Sequence, residues 1–415
     1  MTGASIDDGN ASGMKKYFGL LPFYIAAIML IGTFGWLLTT SYQEPQLDTI
    51  VPLDTPPEKV MEYLKSISDI DRTKLIAREE KHLLDEPLDQ MSLLNLGLLY
   101  GLQGDTEKSN RLALRAADRS YRNFSAQTAA INLSMSKKDF PDATRRIDGL
   151  LRSGPEFSKN YFPMLLNISS LPEGLSATVN MLASDPPWRK QFIDYATNIP
   201  EQQSIVYSVL AGLRDAKAEV LPSELRAYLS KLFERKDYES AYFVWLDFLS
   251  PSELRKTGLI YDGGFDLPPH NLFFGWNIYP IANADVSIAA LSGTANDLAL
   301  KIDFQSSHFA GVAIYQFLRL DAGYYHLTLD ASADHVKADG GVLWEIRCAE
   351  SGVFIGLGEP INSSRPKAAY EFDFKVTDQQ CQTQELVFVT ASRSALDQVV
   401  SGKMIFDNFK ITKIE

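Results

Sequence analysis

The chain has 415 residues, 45% of them apolar and 22% charged, which leaves room for two or three folded domains and excludes disorder and collagen-like structure. Forty basic and 52 acidic side chains give a net charge of −12 with no basic stripe, which argues against a nucleic-acid partner. Two cysteines and five histidines are too few for a cysteine–histidine metal site or a scaffold of several disulfides.

Residues 17–40 form a stretch of 24 without a charge, long enough as a helix (about 36 Å) to cross the roughly 30 Å hydrocarbon layer. Lys15 and Lys16 precede it, and Trp36 and Tyr42 sit near its far end, where amphipathic rings favour the interface. The expected topology is a cytoplasmic tail at 1–16, a single-pass anchor at 17–40 and everything after it outside. A cleaved signal peptide is the alternative, but the apolar stretch is too long and Thr39-Thr40-Ser41 is a poor cleavage site.

Residues 41–57 carry Pro45, Pro52, Pro56 and Pro57 and read as an extended linker. From 58 to 258 apolar residues recur at helical spacing in segments of 10–15 residues. Within them a period is visible. Leu93, Leu96, Gly97 and Tyr100 precede Gly104-Asp105, with Ala116 beyond, and 34 residues after that turn comes Lys138-Asp139-Phe140, followed by Ala143 and Ile147. Lys236-Asp237-Tyr238 with Ala241 and Trp245 looks like a third unit, although the region between departs from strict repetition. The pattern resembles the tetratricopeptide repeat, which implies stacked helix–turn–helix units forming an α-solenoid with a concave protein-binding surface. An irregular helical domain is the competing reading.

Beyond residue 260 the texture changes to short alternating stretches between Gly, Asp, Asn and Ser clusters, so the chain is α first and β afterwards. Residues 260–415 hold 19 acidic and 11 basic side chains, net −8. Strand alternation puts Tyr325, Leu327, Leu329 and Ala331 on one side and Tyr324, His326, Thr328 and Asp330 on the other. Tyr370, Phe372 and Phe374 point inward, as does Trp344, so Arg347 points out. The stretch 311–320 is apolar on both sides and stays ambiguous, with Tyr315 on one of them. Cys348 and Cys381, 33 residues apart in an exported segment, are expected to form a disulfide, two buried thiols being the alternative.

Tyr261-Asp262-Gly263-Gly264-Phe265-Asp266 followed by Trp276, the central Gly323-Tyr324-Tyr325 and the closing Phe406-Asp407-Asn408-Phe409 together resemble the jelly-roll carbohydrate-binding modules. The resemblance implies an antiparallel β-sandwich over 260–415 and a structural calcium held by Asp266 and Asp407. It also implies glycan contact through exposed aromatics, for which Tyr315, Tyr324, His326 and Arg347 are the candidates. A neutral sugar fits the acidic domain better than a polyanion.

No His-Glu-x-x-His, Gly-x-Ser-x-Gly or phosphate-binding glycine loop occurs. An anchor, exported helical repeats and a terminal jelly roll together resemble membrane-anchored repeat proteins of bacterial exopolysaccharide systems. That likeness implies a non-catalytic adaptor in the inner membrane with its bulk in the periplasm, its repeats gripping proteins of polysaccharide synthesis or export. A carbohydrate-active enzyme or its accessory module, and a general envelope assembly factor, are the rivals.

Overall fold

The structure is a computed structural model, and it describes residues 57–121, 123–291, 297–309, 312–377, 381–392 and 398–414, the first five by backbone alone. The expected anchor at 17–40, the tail before it and the linker up to residue 56 lie outside these residues. Among the described residues no helix is long and apolar enough to cross a membrane. The chain divides into two compact units, 1–168 and 169–415.

In the first unit, α1 (Pro57–Ser66), α2 (Asp69–Asp85), α3 (Gln90–Leu102), α4 (Thr106–Arg119), α5 (Phe124–Ser136) and α6 (Phe140–Ser153) follow one another, with α7 (Ser158–Ser169) at its end. The 34-residue period is real in three dimensions: α5 and α6 begin 34 residues after α3 and α4. The two turns are built alike. Gly104 and Lys138 both take a left-handed conformation, with φ of 86° and 57°. The next residue, Asp105 or Asp139, sends its amide back to Tyr100 or Ser134 at 2.9 and 2.8 Å, closing one helix. Its carboxylate then accepts the amide of Lys108 or Asp142, capping the next. Gly97 lets the helices of the first pair cross closely, because a Cβ there would lie 3.2 Å from the Ser109 carbonyl oxygen.

The second unit starts with α8 (Pro172–Leu182), α9 (Arg189–Thr197), α10 (Gln203–Asp215), α11 (Pro222–Glu234), α12 (Tyr238–Asp247) and the single turn α13 (Pro251–Leu254). Arg189 and Glu224, both buried, form a two-pronged ion pair at 2.8 and 2.6 Å that ties α9 to α11. The Lys236-Asp237 turn between α11 and α12 repeats the geometry of the first unit, with Lys236 at φ 60° and the Asp237 carboxylate capping Ser240.

Among the described residues ten strands follow: β1 (Asn277–Ile278), β2 (Ala284–Ala290), β3 (Leu298–His308), β4 (Ile314–Leu318), β5 (Gly323–Ala338), β6 (Val342–Cys348), β7 (Phe354–Leu357), β8 (Arg365–Val376), β9 (Gln384–Thr390) and β10 (Val399–Ile414). They make a sandwich of two five-stranded antiparallel sheets, ordered β1-β4-β9-β6-β7 and β2-β3-β10-β5-β8. Trp344, Phe388, Phe406 and Phe265 are fully buried between them. The disulfide between Cys348 and Cys381 is formed, with Cα atoms 5.1 Å apart.

Residue 260 thus marks the change from helix to strand, but it does not mark the division between units. The reason is a shared core. Phe233 of α11 packs 4.2 Å from Phe273 and 4.8 Å from Phe317, ring centre to ring centre, and Tyr242 of α12 packs 5.0 Å from Phe274. Arg319, just after β4, reaches Glu239 at 2.8 Å. The α11–α12 hairpin therefore covers the β1–β4 end of the first sheet.

Candidate functional site

The parity argument places the candidate side chains outside the sandwich core, yet on opposite sheets. Tyr324 and His326 belong to β5 in the second sheet, and Tyr315 and Arg347 to β4 and β6 in the first. The four therefore do not form one surface.

On the second sheet, Tyr324 is 54% exposed, but Lys375 sits over its ring at 4.6 Å. Strand pairing puts His326 opposite Asp373 and Thr412. Its Nδ1 lies 2.6 Å from the Asp373 carboxylate, and its Nε2 3.5 Å from Glu371. This face is a ladder of paired charges with one partly capped ring, the pattern of a solvated sheet face.

On the first sheet, register creates two rows that run across the strands. One is Tyr315, Val387, Glu345 and Leu357; the other is Phe317, Glu385, Arg347 and Phe354. Tyr315 is half-buried against Tyr279, 6.2 Å between ring centres. Burial, then the neighbouring Tyr279, push its hydroxyl up. Arg226 of α11 bonds the Tyr279 hydroxyl at 3.1 Å, so this end of both rows is occupied by the helical hairpin. The ambiguity of 311–320 in sequence now has its cause. Ile314 and Leu318 face the sandwich core and Phe317 faces the helices, so both sides of β4 are apolar.

The far end of the rows is open. Arg347 Nε donates to Glu385 at 2.6 Å, and its Nη1 lies 3.9 Å from Glu345. Burial pushes the Glu345 carboxyl up, Arg347 draws it back and the Glu385 charge pushes it up again, so it keeps a proton more readily than a free glutamate. Beside this cluster the edge strand β7 exposes Phe354 (56%) and Leu357 (59%). Neither residue stood out in the sequence, because four-residue β7 is too short for its alternation to declare a face.

The two carboxylates expected to hold calcium have different surroundings. Asp266 forms an ion pair with Lys256, while Asp407 is buried with one oxygen bonded to the Asn408 amide at 2.7 Å and the other unpartnered. Among the described residues no group of three or more His, Cys, Asp or Glu side chains is arranged to hold a metal ion. The buried carboxylate of the opening motif is Asp262, which accepts the amides of Asp266 and Leu267 at 3.1 and 3.0 Å. Its carbonyl oxygen accepts from the Trp276 indole at 3.0 Å. Asp262 thus organises the opening turn.

No protein-family model and no curated protein matches the chain. Among solved structures, CBM4 is similar at 16% identity, covering 37% of this chain and 99% of its own, with a TM-score of 0.28. TmCBM61 in complex with β-1,4-galactotriose is similar at 12% identity, covering 38% and 99%, with a TM-score of 0.24. A carbohydrate binding module from Cellvibrio mixtus lichenase 5A in complex with cellotriose is similar at 9% identity, covering 34% and 93%, with a TM-score of 0.21.

Proposed function

We propose that this chain is a non-catalytic adaptor, anchored in the bacterial inner membrane through residues 17–40 with its bulk in the periplasm. Its helical units bind proteins of a polysaccharide synthesis or export system, and its β-sandwich contacts a neutral glycan. The observation that carries the glycan reading is the open end of the first sheet. There Phe354 supplies an exposed ring for the apolar C–H face of a sugar, directly across from Arg347 and its two carboxylates, which supply hydrogen bonds. Strand register sets this juxtaposition, so it is held by the sheet rather than by a loop.

The two acids of this face are not arranged as a hydrolytic pair. Glu345 and Glu385 stand side by side on one guanidinium, whereas two-carboxylate glycoside hydrolysis needs the acids on either side of the bond to be broken.

The test is titration of the full-length protein with cellotriose and β-1,4-galactotriose as neutral probes, with polygalacturonate as the polyanion. Saturable millimolar binding of a neutral probe, weakened about tenfold by Phe354→Ala, is expected. Absence of binding by either neutral probe, or binding untouched by Phe354→Ala, overturns the assignment of this face.

A further inference from the structure

The second unit contains a cavity of about 450 Å³ between the helices and the segment that opens the sandwich. Its walls are largely rings: Trp245, Phe248, Tyr261 and Trp276, with Leu225 and Leu272 between them. Trp245 and Tyr261 meet edge to face at 5.2 Å, which fixes the orientation of both. The cavity opens to solvent past Lys217, Pro268 and His270, all exposed. A volume of this size suits a small ligand of one or two rings.

The charges around it narrow the chemistry. Arg214 lies over the Phe248 ring at 5.3 Å and is bonded to Asp215 at 2.9 Å and to the Asp247 carbonyl and carboxylate. One Glu253 oxygen accepts the Ser250 amide at 2.7 Å, and the other lies 2.9 Å from His270 Nε2. Asp262 spends both oxygens on backbone amides. With these groups already paired inside the protein, and the other lining charges, Lys217 and Glu219, exposed and of opposite sign, an ion would have to break a bond to settle among the rings. A neutral ligand would not.

The Tyr261 hydroxyl makes no hydrogen bond among the described residues, although the Tyr261 main chain is clamped by Gln316 at 2.8 and 3.0 Å. Burial, then the Glu253 and Asp262 charges, push that hydroxyl up, which keeps it a donor. Ring walls and one uncommitted donor on a charge-neutralised rim form the complement of a pyranose, which has an apolar face and a hydroxyl edge.

We infer that this cavity is a second binding site, for a neutral sugar of one or two rings, distinct from the open end of the first sheet. The site needs both the helices and the opening segment of the sandwich. It stands independently of the sheet-face reading.

Full-length protein is titrated with glucose, galactose and cellobiose up to about 50 mM while tryptophan fluorescence is recorded, since Trp245 and Trp276 border the cavity. The expected result is a saturable change that Phe248→Ala and Tyr261→Phe each weaken by roughly three- to tenfold and Phe354→Ala leaves unchanged. Tyr261→Phe removes a single oxygen, so the test survives if Phe248→Ala fails to fold. No saturable change with any probe overturns the inference. So does a change abolished by Phe354→Ala and kept in both cavity variants, an outcome that leaves the sheet-face reading standing.

Discussion

The Phe409 amide donates to the Gly263 carbonyl at 2.8 Å, joining the last strand of the sandwich to the turn that opens it. A Cβ on Gly263 would lie 2.0 Å from the Phe409 carbonyl oxygen, a contact no side-chain movement relieves because both partners are backbone. Gly263→Ala is therefore expected to destabilise the second unit by at least about 2–3 kcal/mol, read as a lower denaturation midpoint. Since this direct contact closes the sandwich, chelation with EDTA should leave the wild-type midpoint where it was. A marked fall would restore a cation to the closing strand.

The Cys348–Cys381 bridge closes a 33-residue interval between β6 and the start of β9. Cys348→Ser should lower the stability of the second unit by about 2–4 kcal/mol on the chain-entropy view, and non-reducing peptide mapping should recover the two cysteine peptides joined. Two freely alkylated thiols in protein taken from its native compartment would contradict the bridge.

Lys138 and Lys236 occupy the left-handed turn position that Gly104 fills in the first repeat. A lysine there carries a Cβ penalty that glycine avoids, so Lys138→Gly and Lys236→Gly should each stabilise by about 0.5–1 kcal/mol. Gly104→Ala should cost about as much. Thermal melting of the three variants tests whether the turns are equivalent in energy as well as in shape.

The Asp142 carboxyl is held down to about 2: partial burial opposes this, and hydrogen bonds from Ser134, Arg146 and Arg145 outweigh it. A folded pKa below the unfolded one means that the stabilisation is present above about pH 4 and is lost as pH falls towards 2, amounting to roughly 2 kcal/mol. Urea midpoints of the first unit across that window should fall more steeply for wild type than for Asp142→Asn. Equal slopes would remove Asp142 from the account.

A chain starting at residue 260 would leave Phe273, Phe317 and Tyr315 without the α11–α12 hairpin that covers them. It should melt lower and aggregate more readily than one starting at 169. Phe233→Ala in the full chain should cost roughly 2 kcal/mol, part of it from the vacancy left between Phe273 and Phe317. Equal melting of the two truncations would refute the shared core.

Local signals in the sequence were sufficient wherever the physics is local. The Gly104-Asp105 and Lys138-Asp139 turns and the inward set Tyr325, Leu327 and Leu329 each depend on residues a few positions apart. Helix capping and the two-residue strand period act over that range. Pairing of Cys348 with Cys381 was also within reach, because a chain with two cysteines has one way to bond them to each other. Tertiary structure alone decided which sheet each strand joins, and with it that Tyr324 and His326 lie opposite Tyr315 and Arg347. Strand neighbours such as β4 and β9 are about 70 residues apart, and nothing in the local alternation specifies the partner. The same holds for the hairpin over Phe317, the exposure of Phe354 on an edge strand, the turn organised by Asp262, and the cavity lined by Trp245 and Tyr261. Each is a contact between segments whose own patterns are complete without it, so only packing in three dimensions brings it about.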